Sequence, residues 1–244
     1  MTENPNCERQ KRTRLLLGDG LERLRNARIL VLGIGGVGAY AAEQLGRAGV
    51  GTLLLVDGDR VDPSNCNRQL PALTSTIGMA KAEVMAQRLR EINPELNVIT
   101  RNEFIADEKI PELLKGGFDY VIDAIDSLTP KVDFLLEARR RKIPLVSSMG
   151  AGGKMDPSLI TVADISKTYG CALARAVRTR LREHGVTRGI KVVFSPEAVP
   201  RSAIETATDG HGKFRSTVGT ISYLPAIFGC TCASVAIRDL LRKN

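Results

Sequence analysis

A glycine-rich run has the spacing of a loop that binds phosphate groups. Gly33, Gly35 and Gly38 follow a short aliphatic run and precede an alanine-rich segment, and Gly36 lies between them. Glycines let the backbone turn tightly and approach a phosphate, while the N-terminus of the following helix supplies N–H donors and the positive end of its dipole. Asp57 ends the next aliphatic run, where a carboxylate can hold ribose hydroxyls. The pattern predicts a nucleotide site, although an NAD-dependent oxidoreductase fits it equally well.

Polar residues beyond Asp57 favour a nucleoside triphosphate over a dinucleotide. A dinucleotide does not need a second set of polar side chains beside its ribose. This sequence nevertheless has Asp59, Asn65, Arg68, Gln69 and Lys81. Arg68 and Lys81 can neutralise phosphates, and Asp59 or another carboxylate can hold Mg²⁺. The set therefore predicts a site for ATP with Mg²⁺.

Asp126 is a further candidate for the same site. It ends the aliphatic run 120–125, and ligands of open α/β sheets bind outside the carboxyl ends of the strands. Asp126 is then expected to face the crevice that holds the nucleotide. A second interpretation stays open, in which Asp126 only caps the helix expected near Pro130.

These residues need an α/β framework to bring them together. Aliphatic runs alternate with helical patterns; the runs lie at 28–32, 52–56, 98–104, 120–125 and 143–147, and the helical patterns at 39–48, 81–91 and 131–142. Alternation predicts parallel βαβ units, and nearly continuous aliphatic runs are typical of strands covered on both faces. We expect an α/β fold with a Rossmann-like, mostly parallel sheet and flanking helices, extended by C-terminal strands and helices.

The pattern changes beyond residue 150. Strands are expected at 160–165 and 190–194, with a basic helix between them. The segment 196–218 is rich in Pro, Ser, Thr, Gly and charge, which predicts a long mobile loop. The apolar segment 221–237 is interrupted by Pro225 and Gly229 and is shorter than the ~20 apolar residues of a membrane span. It favours a buried helix and leaves a peripheral membrane contact open.

The charge of the chain is +8 and is unevenly distributed. One basic cluster lies near the N-terminus, and a second runs from Lys167 to Lys191. In the basic helix Leu173, Val177 and Leu181 recur every four residues, which predicts a buried stripe with the arginines largely off it. We interpret the basic helix as a surface that binds the phosphate backbone of RNA, in preference to a basic face that is only solvated. The expected contacts are Arg175, Arg178, Arg182 and Lys191.

The ordered motifs resemble the ubiquitin-activating-enzyme superfamily, whose bacterial members ThiF, MoeB and HesA adenylate carboxylates. The motifs are Arg12-Thr13-x-x-Leu16, Gly33-Ile-Gly-Gly-Val-Gly38, Asp57-x-Asp59, Ser64-Asn65-x-Asn67-Arg68-Gln69, Gly78-x-x-Lys81 and Asp123-Ala-Ile-Asp126. The resemblance implies that Asp57 holds the ribose of ATP and that Asp126 binds the catalytic Mg²⁺. It also implies that Asn65, Arg68 and Lys81 hold the phosphates.

The same resemblance implies a homodimer. In these enzymes the N-terminal segment packs at a two-fold interface and sends an arginine into the neighbour's site. Arg12 fits this position, and Arg14 is the alternative. The apolar Leu15, Leu16 and Leu17 in this charged segment need a surface to cover them.

The second half more narrowly resembles the TcdA (CsdL) family of tRNA threonylcarbamoyladenosine dehydratases. The motifs are Ser147-Ser-Met-Gly-Ala-Gly-Gly-Lys-Met-Asp-Pro157, Val162-Ala-Asp-Ile-Ser-Lys-Thr168, Leu173-Ala-Arg, Lys191-Val-Val-Phe-Ser195 and Pro225-Ala-Ile-Phe-Gly229. Cys171-Ala172 departs from the Asp-Pro that the family usually has there. The resemblance implies a single ThiF-type adenylating domain over 1–244. In it 12–149 binds ATP and 150–244 binds a tRNA that carries threonylcarbamoyladenosine, whose carboxylate is adenylated and then cyclised.

Three other functions stay open. An enzyme that adenylates the C-terminal glycine of a ubiquitin-like sulfur carrier is disfavoured because those relatives usually carry two C-x-x-C pairs, which this sequence lacks. Asn65, Arg68, Gln69 and Lys81 disfavour an NAD-dependent oxidoreductase, and the complete set of ATP motifs disfavours a non-catalytic tRNA-binding scaffold. A cysteine-desulfurase partner that delivers sulfur stays open. The polar N-terminus and an odd number of cysteines, five, without any C-x-x-C pair predict a reducing compartment, the cytoplasm.

Overall fold

A seven-stranded sheet forms the centre of the computed structural model, which describes residues 8–208 and 214–242. Its strands are β1 (Arg28–Leu32), β2 (Thr52–Val56), β3 (Asn97–Arg101), β4 (Tyr120–Asp123), β5 (Leu145–Ser148), β6 (Thr161–Asp164) and β7 (Lys191–Phe194). The order across the sheet is β3-β2-β1-β4-β5-β7-β6. Neighbouring strands run parallel from β3 to β7, and β6 pairs with β7 in the antiparallel direction. The parallel strands therefore present their carboxyl ends at one edge.

Helices cover both faces of this sheet. They are α1 (Lys11–Leu17), α2 (Gly20–Asn26), α3 (Gly38–Ala48), α4 (Lys81–Ile92), α5 (Lys109–Leu113), α6 (Leu128–Arg140), α7 (Ala172–Glu183) and α8 (Tyr223–Arg242). On one face α3, α4 and α8 share a buried cluster with β1 and β2. On the other face α5 and α6 pack against the sheet, and α7 packs against α6.

The α/β fold class predicted from the sequence is confirmed. β1 and β2 are aliphatic and almost wholly buried, as expected for strands covered on both sides. The predicted ends differ by a few residues, most of all in α6, which begins at Leu128 rather than at Lys131. Pro130 lies in the first turn of that helix, where a missing N–H removes no internal hydrogen bond.

The segment 196–218 is not the long loop predicted from its composition. It contains a hairpin of β8 (Ile204–Thr208) and β9 (Phe214–Val218), paired in the antiparallel direction. The prediction was wrong because polar residues dominate both strands of this separate ribbon, although Asp209-Gly210 in the sequence is a turn signal. The tip, 209–213, lies outside the described residues.

The C-terminal segment forms the long helix α8, as the interpretation of 221–237 as a buried helix predicted. By length and hydropathy alone α8 could span a membrane, yet half of its most apolar window is buried inside the protein. Leu224, Phe228, Cys232 and Ala236 recur every four residues and are fully buried. The helix is therefore part of the hydrophobic core.

Candidate active site

The glycine-rich run forms a tight loop between β1 and α3. Gly33 has φ +89°, and a Cβ there would lie 2.7 Å from the carbonyl oxygen of Ala124. A Cβ at Gly38 would clash with the carbonyl oxygen of Gly33. Within the described part of the chain, no side chain caps the N-terminus of α3. The loop therefore needs glycines and leaves the helix N-terminus for an anion.

The C-terminal helix supports this loop from behind. A Cβ at Gly36 would lie 3.0 Å from the Cβ of Pro225, in the first turn of α8. A Cβ at Gly229, one turn further, would clash with the carbonyl oxygen of Val37. The phosphate loop and α8 are thus in direct contact although they lie far apart in sequence.

Asp57 lies at the carboxyl end of β2 and is joined to the glycine loop. Its Oδ2 accepts a hydrogen bond from Ile34 N at 2.6 Å, and its Oδ1 accepts one from Asp59 N at 2.7 Å. Burial raises the pKa of this carboxyl, and the two hydrogen bonds partly oppose the rise. The backbone thus holds the Asp57 carboxylate beside the loop, at the position expected for a group that binds a ribose.

The two predicted phosphate-binding cations have internal partners. Lys81 is the first residue of α4 and is 5% exposed, and its Nζ lies 2.8 Å from Asp59 Oδ2. Arg68 Nη1 donates to Ser64 O at 2.9 Å and to Asn67 Oδ1 at 2.8 Å. Because Asp59 is paired with Lys81, it orients that lysine rather than standing as an open carboxylate for a metal.

The two amide side chains of this segment differ. Asn65 is buried, and its Oδ1 accepts from Asp62 N at 3.2 Å, so it holds the turn that carries Arg68. Gln69 lies against Gly35 of the phosphate loop, and its Oε1 is buried without a hydrogen-bond partner among the described residues. A buried amide oxygen without a hydrogen-bond partner is costly. The side-chain amide of Gln69 can also be placed in the flipped orientation, which interchanges its oxygen and its nitrogen. Gln69 therefore fits a nucleotide that completes its hydrogen bonds.

Asp126 is exposed in the segment between β4 and α6. The N-cap residue of α6 is Ser127, and the structure gives α6 no side-chain cap. Within the described residues, no hydrogen bond or ion pair engages the Asp126 carboxylate. The interpretation of Asp126 as a helix cap therefore has no support, and its carboxylate faces solvent at the edge where the strands end.

A buried ion pair beneath Asp126 escaped prediction from the sequence. Lys131 Nζ lies 2.8 Å from Asp123 Oδ2, and both side chains are fully buried. Lys131 also donates to Ile125 O at 2.7 Å, while Asp123 accepts from Ile125 N and from the hydroxyl of Ser147. Both residues thus hold the backbone next to Asp126. The sequence feature that could have indicated this ion pair is Lys131, the fourth residue of α6, which follows the strand β4 that ends at Asp123.

No preformed metal cage is present in residues 8–208 and 214–242. These residues bring together no cluster of three or more His, Cys, Asp or Glu side chains suited to a metal ion. The four cysteines in this part of the chain are free thiols, and Cys7 lies outside it. Asp126 alone could supply one oxygen ligand, so the remaining ligands of a Mg²⁺ would come from phosphate oxygens and water.

The basic helix α7 offers two kinds of arginine. Arg175 and Arg182 are exposed and lie seven residues apart, hence on one face. Arg175 and Arg180 line a groove that reaches Leu128, two residues from Asp126. Arg178 differs, since its guanidinium donates to the carbonyl and hydroxyl oxygens of Thr168. Arg178 thus anchors α7, and its prediction as an RNA contact is not supported.

Lys191 does not share the surface of the other predicted RNA contacts. It begins β7, and its Nζ lies 2.5 Å from Asp239 Oδ2, which also accepts from the hydroxyl of Tyr120 at 2.8 Å. Tyr120 begins β4. Lys191 therefore lies toward the amino edge of the sheet, opposite the glycine loop, and is already paired.

Comparison with known proteins identifies the family. The model of the ThiF family matches residues 7–244. A tRNA threonylcarbamoyladenosine dehydratase of Bacillus subtilis is 41% identical over 238 residues, which cover 95% of this chain and 94% of the relative. The chain belongs to the ThiF family. Within that family it groups with the tRNA threonylcarbamoyladenosine dehydratases, as the motifs predicted.

A solved structure agrees with this grouping. The chain is similar to Escherichia coli TcdA, a tRNA N6-threonylcarbamoyladenosine dehydratase, in complex with ATP. The TM-score is 0.89 at 38% identity, and the match covers 99% of this chain and 97% of the other. A molybdopterin-synthase adenylyltransferase of Haemophilus influenzae is 34% identical over 160 residues, which cover only 62% of this chain. The match to that adenylyltransferase therefore leaves more than a third of this chain uncovered.

In this ThiF-family chain the N-terminal helix α1 has no buried residues. Leu15 and Leu16 are both 82% exposed, and Arg12 is exposed and unpaired within the described part of the chain. Gln10 lies against Gly49, which precedes β2, so α1 lies near the amino ends of the strands. A five-residue strand is roughly 16 Å long. Arg12 is thus remote from the glycine loop of its own chain.

Proposed function

We propose that the protein is an ATP-dependent enzyme that dehydrates threonylcarbamoyladenosine in tRNA to a cyclic form and releases AMP and pyrophosphate. In this reaction the threonyl carboxylate attacks the α-phosphorus of ATP, and pyrophosphate leaves. The carbamoyl group of the same side chain then attacks the activated carboxyl carbon and loses a proton, while one carboxylate oxygen departs on AMP. The nucleoside loses one water in total.

One observation carries this proposal. The glycine loop, the paired Lys81 and the open carboxylate of Asp126 occur at the same edge of the sheet, beyond the ends of β1, β2 and β4. An enzyme that transfers a hydride from NAD needs the loop and Asp57 but not the lysine and the second carboxylate. A site that cleaves a triphosphate needs charge neutralisation where negative charge develops.

The chain's own residues mainly bind and orient in this mechanism. Asp57 holds the ribose, and the N–H groups at the start of α3 face the phosphates. Arg68, Lys81 and Gln69 stabilise the departing pyrophosphate, with Asn65 holding the turn that positions Arg68. Asp126 would hold Mg²⁺, whose chemistry is to neutralise charge on the phosphates. The carboxylate attacks as an anion, so adenylation needs little acid–base catalysis from the protein.

The tRNA is proposed to lie along α7. Arg175 and Arg182 line one face of that helix, and the groove flanked by Arg175 and Arg180 leads to the residues just beyond Asp126. This direction would bring a modified nucleoside to the nucleotide while its backbone phosphates contact the arginines. Residues 12–149 then serve ATP, and 150–244 serve the tRNA.

The proposal includes a homodimer and a cytoplasmic location. Covering Leu15 and Leu16 with a second copy would remove their apolar surface from water and bring Arg12 of one copy toward the ATP of the other. A cysteine-desulfurase partner and a membrane contact through 221–237 are not included. The buried residues of α8 pack inside the core, which disfavours the membrane contact.

The decisive experiment follows the product on tRNA that carries threonylcarbamoyladenosine. Mass spectrometry of the digested tRNA should show a nucleoside that has lost one water only when enzyme, ATP and Mg²⁺ are all present. A heavy-oxygen label in the threonyl carboxylate should appear in AMP. Formation of ADP without AMP would refute the proposal, and AMP formation that requires a ubiquitin-like sulfur carrier would favour the alternative adenylation. NAD should bind no better than millimolar.

A further inference from the structure

We infer that Phe104 forms the surface on which the base of the bound nucleotide stacks. Phe104 follows β3 by three residues and is 70% exposed. Among the phenylalanines whose side chains the structure describes, it is the exposed one; the others, Phe118, Phe134, Phe194 and Phe228, are buried. A phenylalanine has no polar group that gains from contact with water, so its ring is expected to meet an apolar partner.

The ring occupies a defined place beside the proposed ribose site. A Cβ at Gly58 would lie 2.6 Å from ring atoms of Phe104 and 2.7 Å from its backbone nitrogen, so the ring rests directly on the Gly58 backbone. Gly58 adjoins Asp57, whose amide donates to Arg101 O, the last residue of β3, at 3.1 Å. One face of the ring is therefore supported, and the residue as a whole stays largely open to solvent.

The order of strands sets the direction of a bound nucleotide. Phosphates belong at the loop after β1, and the ribose belongs at Asp57 after β2. The next strand outward is β3, so the base beyond the ribose falls at the end of β3. Phe104 stands there, and the next residue, Ile105, is buried in the core. An aromatic face is the surface that a purine ring prefers.

This inference rests on the proposed function, since it presupposes an adenine nucleotide in the site. Base stacking on an aromatic side chain corresponds to roughly 5- to 150-fold in affinity when the side chain is replaced by alanine. The loss should affect AMP and ATP alike, because both carry the base. It should spare pyrophosphate, which contacts only the phosphate groups.

The test uses the absence of tryptophan from the sequence. In the full-length variant Phe104→Trp the single indole should be quenched saturably by AMP and by ATP, with the midpoint found by equilibrium dialysis. Pyrophosphate should leave its emission unchanged. The control variant Tyr169→Trp places the reporter at another exposed aromatic position, remote in sequence, and should respond to none of these ligands. Phe104→Ala should weaken AMP binding by the stated factor without changing pyrophosphate binding or secondary structure.

The possible failures can be told apart. If dialysis shows that the wild-type protein binds neither ATP nor AMP, the proposed function fails and the inference falls with it. If wild type binds AMP but the indole of Phe104→Trp does not respond and Phe104→Ala binds AMP normally, only the inference is overturned. If the emission of the Phe104→Trp variant follows protein concentration instead of AMP, the ring belongs to a contact between copies, which also overturns it.

Discussion

Asp126 differs from the other carboxylates at the edge of the sheet because no described residue pairs with it. Asp57 is held by two backbone N–H groups, Asp59 by Lys81, and Asp123 by Lys131. An exposed and unpaired carboxylate contributes little to the free energy of folding. We therefore expect the role of Asp126 to be the binding of a ligand. On this contrast we propose that Asp126 binds a metal ion, whereas Asp59 and Asp123 hold the site in shape.

Replacing Asp126 by alanine should therefore affect catalysis and not folding. We expect Asp126→Ala to lower the rate of pyrophosphate release by well over tenfold, since a lost metal ligand removes several kcal/mol of stabilisation and one factor of ten is about 1.36 kcal/mol. The midpoint of thermal unfolding should stay within a degree or two of wild type, as for surface substitutions in general. Asp133→Ala, in the adjoining helix α6, is the control and should keep its activity. A variant at 126 with more than about a tenth of the wild-type rate would show that Asp126 is no ligand.

The buried pair of Asp123 and Lys131 should behave in the opposite way. Removing one charge leaves the other buried and unpaired, so Asp123→Asn and Lys131→Met should each lower the free energy of unfolding by about 3–5 kcal/mol. The double variant should lose much less than the sum, because neither charge is then left alone. Denaturant unfolding of the four proteins measures this directly. Additive losses would mean that the two groups contribute independently.

At the scale of elements, the buried strands could be predicted from the sequence, whereas the β8–β9 hairpin could not. Continuous aliphatic runs revealed β1, β2 and β4, and the spacing of glycines located the phosphate loop before α3. The hairpin β8–β9 escaped because neither of its strands carries an apolar run in the sequence, and its pairing depends on contacts between strands. Sequence also could not show which basic residues have partners. The sequence alone does not distinguish Arg178 from Arg182, yet of these two only Arg178 donates hydrogen bonds to Thr168.

This difference within α7 can be measured. Arg175→Gln with Arg182→Gln should weaken tRNA binding and lower the slope of log affinity against log salt by roughly one unit per lost contact. ATP affinity should not change. Lys191→Gln, which lies at the other edge and is paired with Asp239, is the control and should keep the slope. Arg178→Gln should instead lower the thermal midpoint. An unchanged slope in the double variant would mean that the arginines of α7 are only solvated and do not contact tRNA.

At the scale of the whole molecule, two surfaces have no partner within the described part of the chain: the exposed side of α1 and the edge of the sheet proposed to bind the nucleotide. α1 carries an uncovered pair of leucines beside Arg12, and the nucleotide edge lies at the other end of the strands. A two-fold dimer places the same patch on both copies and is the simplest assembly that covers it. Each complete site would then contain residues from two chains.

Mixing two inactive variants tests whether Arg12 acts across the interface. Arg12→Ala and Asp126→Ala should each be inactive, since an arginine on departing phosphates is worth up to about 10³–10⁵ in rate where phosphoryl transfer has been measured. After subunit exchange, half of the dimers are mixed, and each has one intact site, so activity should return to about a quarter of wild type. The pair Arg14→Ala and Asp126→Ala serves as the comparison. Verified exchange without recovery would mean that Arg12 acts within its own chain or not at all.

The contact of Gly36 with Pro225 has a consequence for biosynthesis. At roughly 5–20 residues per second, translation reaches α8 about 10–40 seconds after it has passed the glycine loop. The glycine loop is among the first parts of the sheet to leave the ribosome, and it stays without its supporting helix until α8 has also emerged. A nascent chain should therefore be unable to hold ATP until α8 is free to pack against the loop. Ribosome-bound chains that end before residue 223 should not be retained on an immobilised adenine nucleotide, whereas the released full-length chain should be.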